Sequence, residues 1–575
     1  MSTVASRIDA LRGCFSVLGC EARSSIRDGS AWQLTPRYMS DAEPVMVRFV
    51  DSAGRATIPR EMSLQARYGL MHMFGLREGA GPRRMAVPFA TTVSAVVAAQ
   101  AVLAAQFARA RGSVVADEIV VNPAAAVLFS QEHHLALAAA GPDTAAFGVG
   151  APPPFVTADG YRVEIETFRP DRWGGFWRQL GVGACDVGRS WRSHAARQWT
   201  ACCLLPESLF EAVSRHSLSQ LEAVAENWGV CAVVLRPGGE EYRLDRPWNL
   251  TPGPQKWERP SAVVRGGAPL AGITVVELTH YLQGPYVGRV LGMLGADVIR
   301  IEPPEGDPAR GIEPVVAGSS VAFQTLHRDK RHITLDLDDP QDKASLRELV
   351  AEADVFLHNW SAGQAARAQL DADSLWQINP SLVHTHAGGG GAHLPHTASD
   401  WSIQAASGLA HTLRPEGESP AVSQLTLLDP LGGMLGALGT LSALLQRQRD
   451  RRGMSVSTSL LHAARTLLTL TPLLAPTPHS EGPAFHPLPT NEGHLALDDS
   501  PQLRASLGLS CTAERDELTA ALSGNSAAWW EEHLSRQGVQ AARVRGYTDI
   551  LPDLERTGVI NRDSCVHLTA PWRFQ

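Results

Sequence analysis

Ile273-Thr-Val-Val-Glu-Leu278, Asp297-Val-Ile-Arg-Ile301, Ile333-Thr-Leu-Asp-Leu337, Val355-Phe-Leu357 and Leu382-Val-His-Thr385 are short apolar runs rich in β-branched residues. The stretches between them, through Leu294 and again through Ala353, read as helices. Parallel strands need a crossover to bring the chain back to its starting edge, and helices laid over both faces bury each strand on both sides. Strands without polar alternation, separated by helices, therefore predict an α/β domain with a doubly wound parallel sheet that begins at Pro269.

Working outward from this region exposes a repeat. Glu61-Met-Ser-Leu-Gln-Ala-Arg-Tyr-Gly-Leu70 matches Asp400-Trp-Ser-Ile-Gln-Ala-Ala-Ser-Gly-Leu409 at Ser, Gln, Ala, Gly and Leu. Each is followed by a turn and a long Ala/Leu-rich helix, Ala95 to Arg111 and Leu431 to Arg452, and the separations Gly69 to Gly112 and Gly408 to Gly453 are 43 and 45 positions. Thr157-Ala-Asp-Gly160 then matches Thr490-Asn-Glu-Gly493, Gly229-Val-Cys-Ala matches Gly538-Val-Gln-Ala, and Arg246-Pro-Trp-Asn-Leu250 matches Ala570-Pro-Trp-Arg-Phe574. Matches in one order at constant spacing argue for duplication. The copies are unequal, since Glu61 has only 60 residues before it, whereas Pro269 to Ser399 precedes Asp400. The expected organisation is a truncated first copy over residues 1–255, with a helical part at about 60–135 and a small domain at about 150–250. A Pro/Gly-rich linker follows at 256–268, then a nucleotide-binding large domain at 269–475, then a small α+β domain and C-terminal return at 476–575.

The chain has 575 residues, 44% hydrophobic, enough for several cores. A net charge of −8 with 19% charged residues offers no basic stripe, which argues against nucleic acid or an anionic membrane as partner. The N-terminal stretch is broken by Arg7, Asp9 and Arg12 and does not read as a secretory signal. Val93 to Ala108, the most apolar stretch, carries Gln100 and Gln106 and reads as a core helix, so a cytoplasmic enzyme is expected. The 8 cysteines show no Cys-x-x-Cys pair and read as small buried hydrophobes. His384 and His386 point the same way on a strand but lack a third ligand, so no metal is expected, and His133-His134 reads as surface.

The segments Leu270-Ala-Gly-Ile-Thr-Val-Val-Glu-Leu-Thr-His280, Gly284-Pro285, Leu294-Gly-Ala-Asp-Val-Ile-Arg-Ile-Glu-Pro-Pro304, Arg328-Asp-Lys-Arg331, His358-Asn-Trp360 and Gly388 to Gly391 closely resemble class III CoA-transferases of the carnitine and bile-acid type, a superfamily that includes the α-methylacyl-CoA racemases. The resemblance implies a Rossmann-like layer, coenzyme A carried as an acyl-CoA substrate, a carboxylic acid as the other partner, and interlocked copies. The fused chain would then form an intramolecular pseudo-dimer and is a candidate for homodimerisation. Gly284-Pro285 opens a helix whose free amides suit phosphate oxygens. Gly284, Gly288 and Gly292 lie four apart, unlike a dinucleotide fingerprint, which favours CoA over NAD. The resemblance places Asn359 and Trp360 beside the adenine and Arg367 near the phosphates, with Gln283, Gly284, Pro285, Arg300 and Lys330 completing the CoA site. The Gly388 to Gly391 run would let backbone approach an acyl group.

For catalysis, the transferase branch implies a nucleophilic Asp in a turn that reads Arg414-Pro-Glu416-Gly417-Glu418-Ser-Pro420 here. A gapless count puts Gly417 at that position and a compensated shift puts Glu416 there, so Glu416 is the expected nucleophile if one survives. The racemase branch implies a His-Asp pair; its His position is Ser399, while Asp429 occupies the second and Asp400 lies beside the pocket. Asp429-Pro430 before an apolar helix equally suits an N-cap with Pro in the first turn. The readings are therefore CoA transfer through Glu416, isomerisation or elimination through Asp429, or a scaffold that binds CoA esters without catalysis.

Overall fold

A computed structural model describes residues 4–25, 29–37, 42–76, 81–113, 117–141, 150–238, 246–257, 267–390, 398–474, 484–562 and 565–575. Its largest sheet runs, in spatial order, Arg331–Thr334, Asp297–Glu302, Thr274–Leu278, Val355–His358, Val383–Gly388, Arg452–Ser459 and Asn249–Lys256. The first six are parallel and the last is antiparallel. Thr274–Leu278 lies centrally, the next two strands of the sequence build to one side and the following three to the other, so the winding reverses between Leu278 and Val355. Val275, Val276, Val355, Phe356 and Leu357 have no solvent exposure, as strands covered on both faces require. The expected α/β class with a parallel sheet is met. The sixth parallel strand, Arg452–Ser459, was not expected: it starts at the last residue of the expected helix Leu431 to Arg452, because the observed helix is Leu428–Asp450 and Arg451 at φ 55 turns the chain into a strand.

Among the described residues, the first half has no such layer. Its sheet is Cys20–Ser24, Ala31–Pro36, Val45–Phe49, Glu118–Val121 and Trp572–Phe574, antiparallel except between Val45–Phe49 and Glu118–Val121. The helices Phe89–Ala110 and Leu428–Asp450 lie side by side in the shared core, where Gln100 Nε2 donates to the Met434 carbonyl at 2.7 Å. Both are long and apolar enough to cross a membrane, and both have their apolar window wholly buried inside the protein.

The halves exchange elements reciprocally. Asn249–Lys256, which ends the first half, adds antiparallel to Arg452–Ser459 of the second; Trp572–Phe574, which ends the second, adds antiparallel to Glu118–Val121 of the first. Likewise the helix Asp400–Ala406 lies on the first half's small sheet (Phe155–Val156, Arg162–Glu166, Cys231–Val234), with Arg236 N donating to Ala405 O at 3.1 Å. The helix Glu61–Arg67 lies on the second half's small sheet (Leu488–Pro489, His494–Leu497, Ala541–Arg543), with Arg545 N donating to Ala66 O at 3.0 Å. The Pro/Gly-rich stretch from Leu250 therefore begins as an edge strand, a place where Pro252 and Pro254 can sit without an N–H. Linker residues 258–266 lie outside the described residues.

Candidate active site

Ser399 caps the helix Asp400–Ala406 through a reciprocal Ser399/Ser402 box, which fixes Asp400 in its first turn. From there the Asp400 carboxylate reaches across to the long helix: Oδ2 accepts from Leu428 N at 2.7 Å and Asp429 N at 2.9 Å, and Oδ1 accepts from Gln404 Nε2 at 2.7 Å. Asp400 thus supplies the cap that the sequence suggested for Asp429. Asp429 stands in the first turn of the helix with its own carboxylate uncommitted to backbone, accepting from Gln198 Nε2 at 3.3 Å. Burial raises Asp400 to about 6. Burial first, and then the neighbouring Asp400 charge, push Asp429 well above the usual carboxylate range, while Gln198 opposes the rise. The backbone amides and Gln404 stabilise charge on Asp400, so the proton of this carboxylate pair resides on Asp429.

The first half repeats the arrangement with one change. Glu61 accepts from Ala90 N at 2.9 Å, Thr91 N at 2.7 Å and Gln65 Nε2 at 2.8 Å, and Gln65 Oε1 accepts from Met85 N at 2.9 Å, as Gln404 Oε1 does from Ser423 N at 2.7 Å. Thr91 stands where the second half has Asp429. A carboxylate kept in the half that lacks the partner acid identifies the capping role as structural. It also singles out Asp429 as the group that only one half carries.

Side chains from the first half surround this pocket. Its helix Ala184–Thr200 presents Gln198 to Asp429 and Arg197 to a closed cluster: Arg197 Nη1 donates to Glu164, at 2.5 Å, and Glu166, at 2.7 Å, Nε donates to Gln424 at 3.1 Å, and the guanidinium lies 4.1 Å from the Trp401 ring centroid. Burial drives Glu166 up to about 8 against the pull of Arg197, and Ser399 hydrogen-bonds it. A cavity of about 380 Å³, lined by Arg83, Arg414, Glu418, Ser419, Val422 and Gln424 among others, borders this cluster through Gln424.

At the carboxyl ends of the strands, where the winding reverses, Asn359 clasps the chain: Oδ1 accepts from His280 N at 3.0 Å and Nδ2 donates to His280 O at 2.7 Å. This locks the loop that enters the helix Gln283–Met293. Gly284 allows that entry, because a Cβ there would stand 2.6 Å from Thr279 Cβ. Pro285 is buried, and its carbonyl accepts from Lys330 Nζ at 3.0 Å. The Gln283 side chain lies against Gly432, whose Cβ would stand 2.7 Å from Gln283 Nε2, and that nitrogen is buried without a hydrogen-bond partner among the described residues. Gly432 is one helical turn beyond Asp429, so an unused donor borders the carboxylate pocket. Trp360 is half-buried beside Asn359, and Arg367 is exposed at the end of the helix Ala362–Arg367.

Several expectations are not met. Glu416 is exposed at its turn and makes no hydrogen bond or ion pair among the described residues, whereas Asp400 and Asp429 are buried together. Arg300 and Lys330, expected in the CoA site, are buried and held by acids. Arg300 is spent on Glu277 at 3.0 Å, Glu302 at 3.4 Å and Asp307, and Lys330 on Glu277 at 2.8 Å. Buried cations are held by buried acids, and alternation along the strands put Glu277, Arg300 and Glu302 in one layer. His133 and His134 are buried rather than superficial, with His133 Nδ1 3.2 Å from the Tyr286 hydroxyl across the junction between halves. His384 and His386 are joined by His358, whose Nε2 lies 3.1 Å from His384 Nε2, and no group of metal-ligating side chains is found among the described residues. Gly391 lies outside the described residues. Gln198 and Arg197 were missed because the residues that tie them to this pocket, Asp429 and Gln424, are more than 200 positions away; only the repeat could have pointed to this half as a contributor.

Comparison with known proteins gives relatives for this arrangement. The chain is 36% identical over 207 residues to the acetyl-CoA:oxalate CoA-transferase of Acetobacter aceti, covering 35% of this chain and 53% of that protein. It is 32% identical over 216 residues to the succinyl-CoA:glutarate CoA-transferase of Mus musculus, covering 37% and 50%. The chain spans about half the length of these curated relatives. Among solved structures, a CAIB/BAIF family protein from Brucella suis is 26% identical with a TM-score of 0.48, covering 54% of this chain and 93% of that one. The family model described as CoA-transferase family III matches residues 57–250 and 270–495, and the chain belongs to that family.

Proposed function

We propose that this protein moves CoA between carboxylic acids and that Asp429, rather than Glu416, is the nucleophile. The observation that carries the reading is the asymmetry of the repeat: both halves keep the capping carboxylate, Glu61 or Asp400, and only the half with the parallel sheet adds a second buried acid. Once deprotonated, Asp429 attacks the thioester carbonyl, giving an aspartyl–acyl anhydride and CoA thiolate. The thiolate attacks the aspartyl carbonyl, releasing the first carboxylate and leaving an aspartyl–CoA thioester. A second carboxylate attacks that thioester, and the returning thiolate takes the new acyl group, restoring Asp429. A poorly solvated carboxylate is a stronger nucleophile, and its raised pKa is the cost of that environment. The Gln283 amide is placed to donate to an oxygen in this pocket. Arg414 and the Arg83–Glu418 ion pair line the neighbouring cavity, where guanidinium groups suit a carboxylate acceptor.

In the same reading the parallel sheet is a Rossmann-like layer that takes CoA at the winding reversal. Asn359 and Trp360 then lie on the adenine side, the amides at Gln283 and Gly284 face the carrier, and Arg367 reaches phosphate. The chain is a fused pseudo-dimer: the first copy over residues 1–255 supplies the small domain that roofs the second copy over 269–575, and each chain holds one CoA site. Loading with an acyl-CoA donor followed by hydroxylamine should leave a hydroxamate at Asp429 that Asp429→Asn abolishes. A hydroxamate on Glu416, or none at all from a protein that binds the donor, would refute the assignment. The raised Asp429 also suits a base for isomerisation α to the thioester, which would show instead as deuterium uptake without a hydroxamate.

A further inference from the structure

Phe168 and Tyr281 stack across the junction of the halves, with centroids 4.9 Å apart and planes inclined by 25°. They keep 40% and 47% of their surface open to solvent, so together they present an apolar face rather than fill a core. Phe168 follows the strand Arg162–Glu166, and Tyr281 lies between the strand Thr274–Leu278 and the helix Gln283–Met293. Tyr281 has φ 62, a left-handed backbone that a bulky side chain rarely adopts, and the Asn359 clasp on His280 holds it there. Strain of this kind persists where the surroundings impose it and concentrates at ligand clamps.

The chain on either side fixes where the pair stands. Two residues before Phe168, Glu166 is hydrogen-bonded by Ser399, the neighbour of Asp400. Two residues after Tyr281, Gln283 lies against Gly432, one turn from Asp429. Two residues span at most about 7 Å of chain, so one ring approaches the carboxylate pocket from each half. Tyr281 is thereby flanked by the Asn359 clasp at His280 on one side and by Gln283 of the carboxylate pocket on the other.

We propose that the Phe168–Tyr281 pair is the acyl-group subsite, and that the protein takes thioesters whose acyl group has an apolar or aromatic body. The proposal rests on the CoA-transferase reading above. Flat rings give a flat acyl group large contact at small entropic cost, and short polar acyl groups gain nothing from them. A subsite built from one residue of each half also explains why the two must stay in register.

The test is calorimetric titration of the full chain with free CoA, acetyl-CoA and phenylacetyl-CoA. The variants are Phe168→Ala and Tyr281→Asn, the latter because Asn accepts the left-handed backbone while removing the ring. The wild-type chain should bind phenylacetyl-CoA at least tenfold more tightly than acetyl-CoA. Each variant should erase most of that preference while its affinity for free CoA stays within about twofold of wild type, a difference of about 0.4 kcal/mol. Tyr281→Phe should keep the preference. Equal affinity for the two thioesters in the wild type, or an undiminished preference in both variants, overturns the subsite while leaving the CoA site standing. Failure of the wild type to bind free CoA or either thioester brings down the underlying reading and the subsite together.

Discussion

Asp400→Ala would remove the acceptor of three buried donors: Leu428 N at 2.7 Å, Asp429 N at 2.9 Å and Gln404 Nε2 at 2.7 Å. A buried donor left unpaired costs about 1–3 kcal/mol, so the loss should be at least ~3 kcal/mol. At about 2–4 °C per kcal/mol for a unit of 150–250 residues, the melting midpoint should fall by several degrees. Glu61→Ala removes the corresponding bonds from Ala90 N, Thr91 N and Gln65 Nε2 and should cost a similar amount. The repeat thereby contains its own control. Urea unfolding followed by fluorescence, with hydroxamate formation measured where each variant is still folded, separates the two roles. Both variants should lose stability alike, but only Asp400→Ala should also move the pH at which Asp429 becomes reactive, because it removes the nearest negative charge. If either variant unfolds within about 0.5 kcal/mol of wild type, the capping argument is wrong. If Asp400→Ala leaves the pH profile in place, the carboxylates do not share a proton.

Gln198→Leu deletes the donor that holds the Asp429 pKa down, so the acid limb of kcat/KM should shift upward in pH; an unmoved limb would show that Gln198 does not touch the reacting group in solution. Arg197→Met strands Glu164 and Glu166 in the interior and should cost about 3–5 kcal/mol in denaturant unfolding. Above pH 6.5, stability should fall as pH rises towards 8, because folded Glu132 and Glu166 are raised to about 7 and about 8 and hold protons that the unfolded chain has already released near 4.5. Glu132→Gln should flatten that slope in melting curves, and a slope that stays the same would contradict it. Calorimetry on Thr91→Asp should still give one CoA per chain, since a restored acid in the first half has no parallel sheet in front of it.

The parallel sheet was legible because its strands are covered on both faces, and Val275, Val276, Val355 and Phe356 had to be continuous apolar runs. The duplication was legible because the Ser-x-Gln-Ala frames around Glu61 and Asp400 serve one local purpose, orienting a carboxylate at the start of a long helix. The proposed nucleophile was not legible. Asp429-Pro430 looks like an N-cap until Asp400 is seen to satisfy the amides, and the turn at Glu416 looks chemical until it is seen in solvent. Arg300 and Lys330 likewise read as part of the CoA site until Glu277 takes them. Sequence fixes local periodicity, turn chemistry and internal repetition, all of which act over a few residues at a time. Which acid is capped, which cation is spent and which half roofs the other depend on burial and on partners far along the chain. Only the folded arrangement, by excluding water from Asp400 and Asp429 together, committed one of two similar acids to capping backbone amides and left the other's carboxylate to a single side-chain donor.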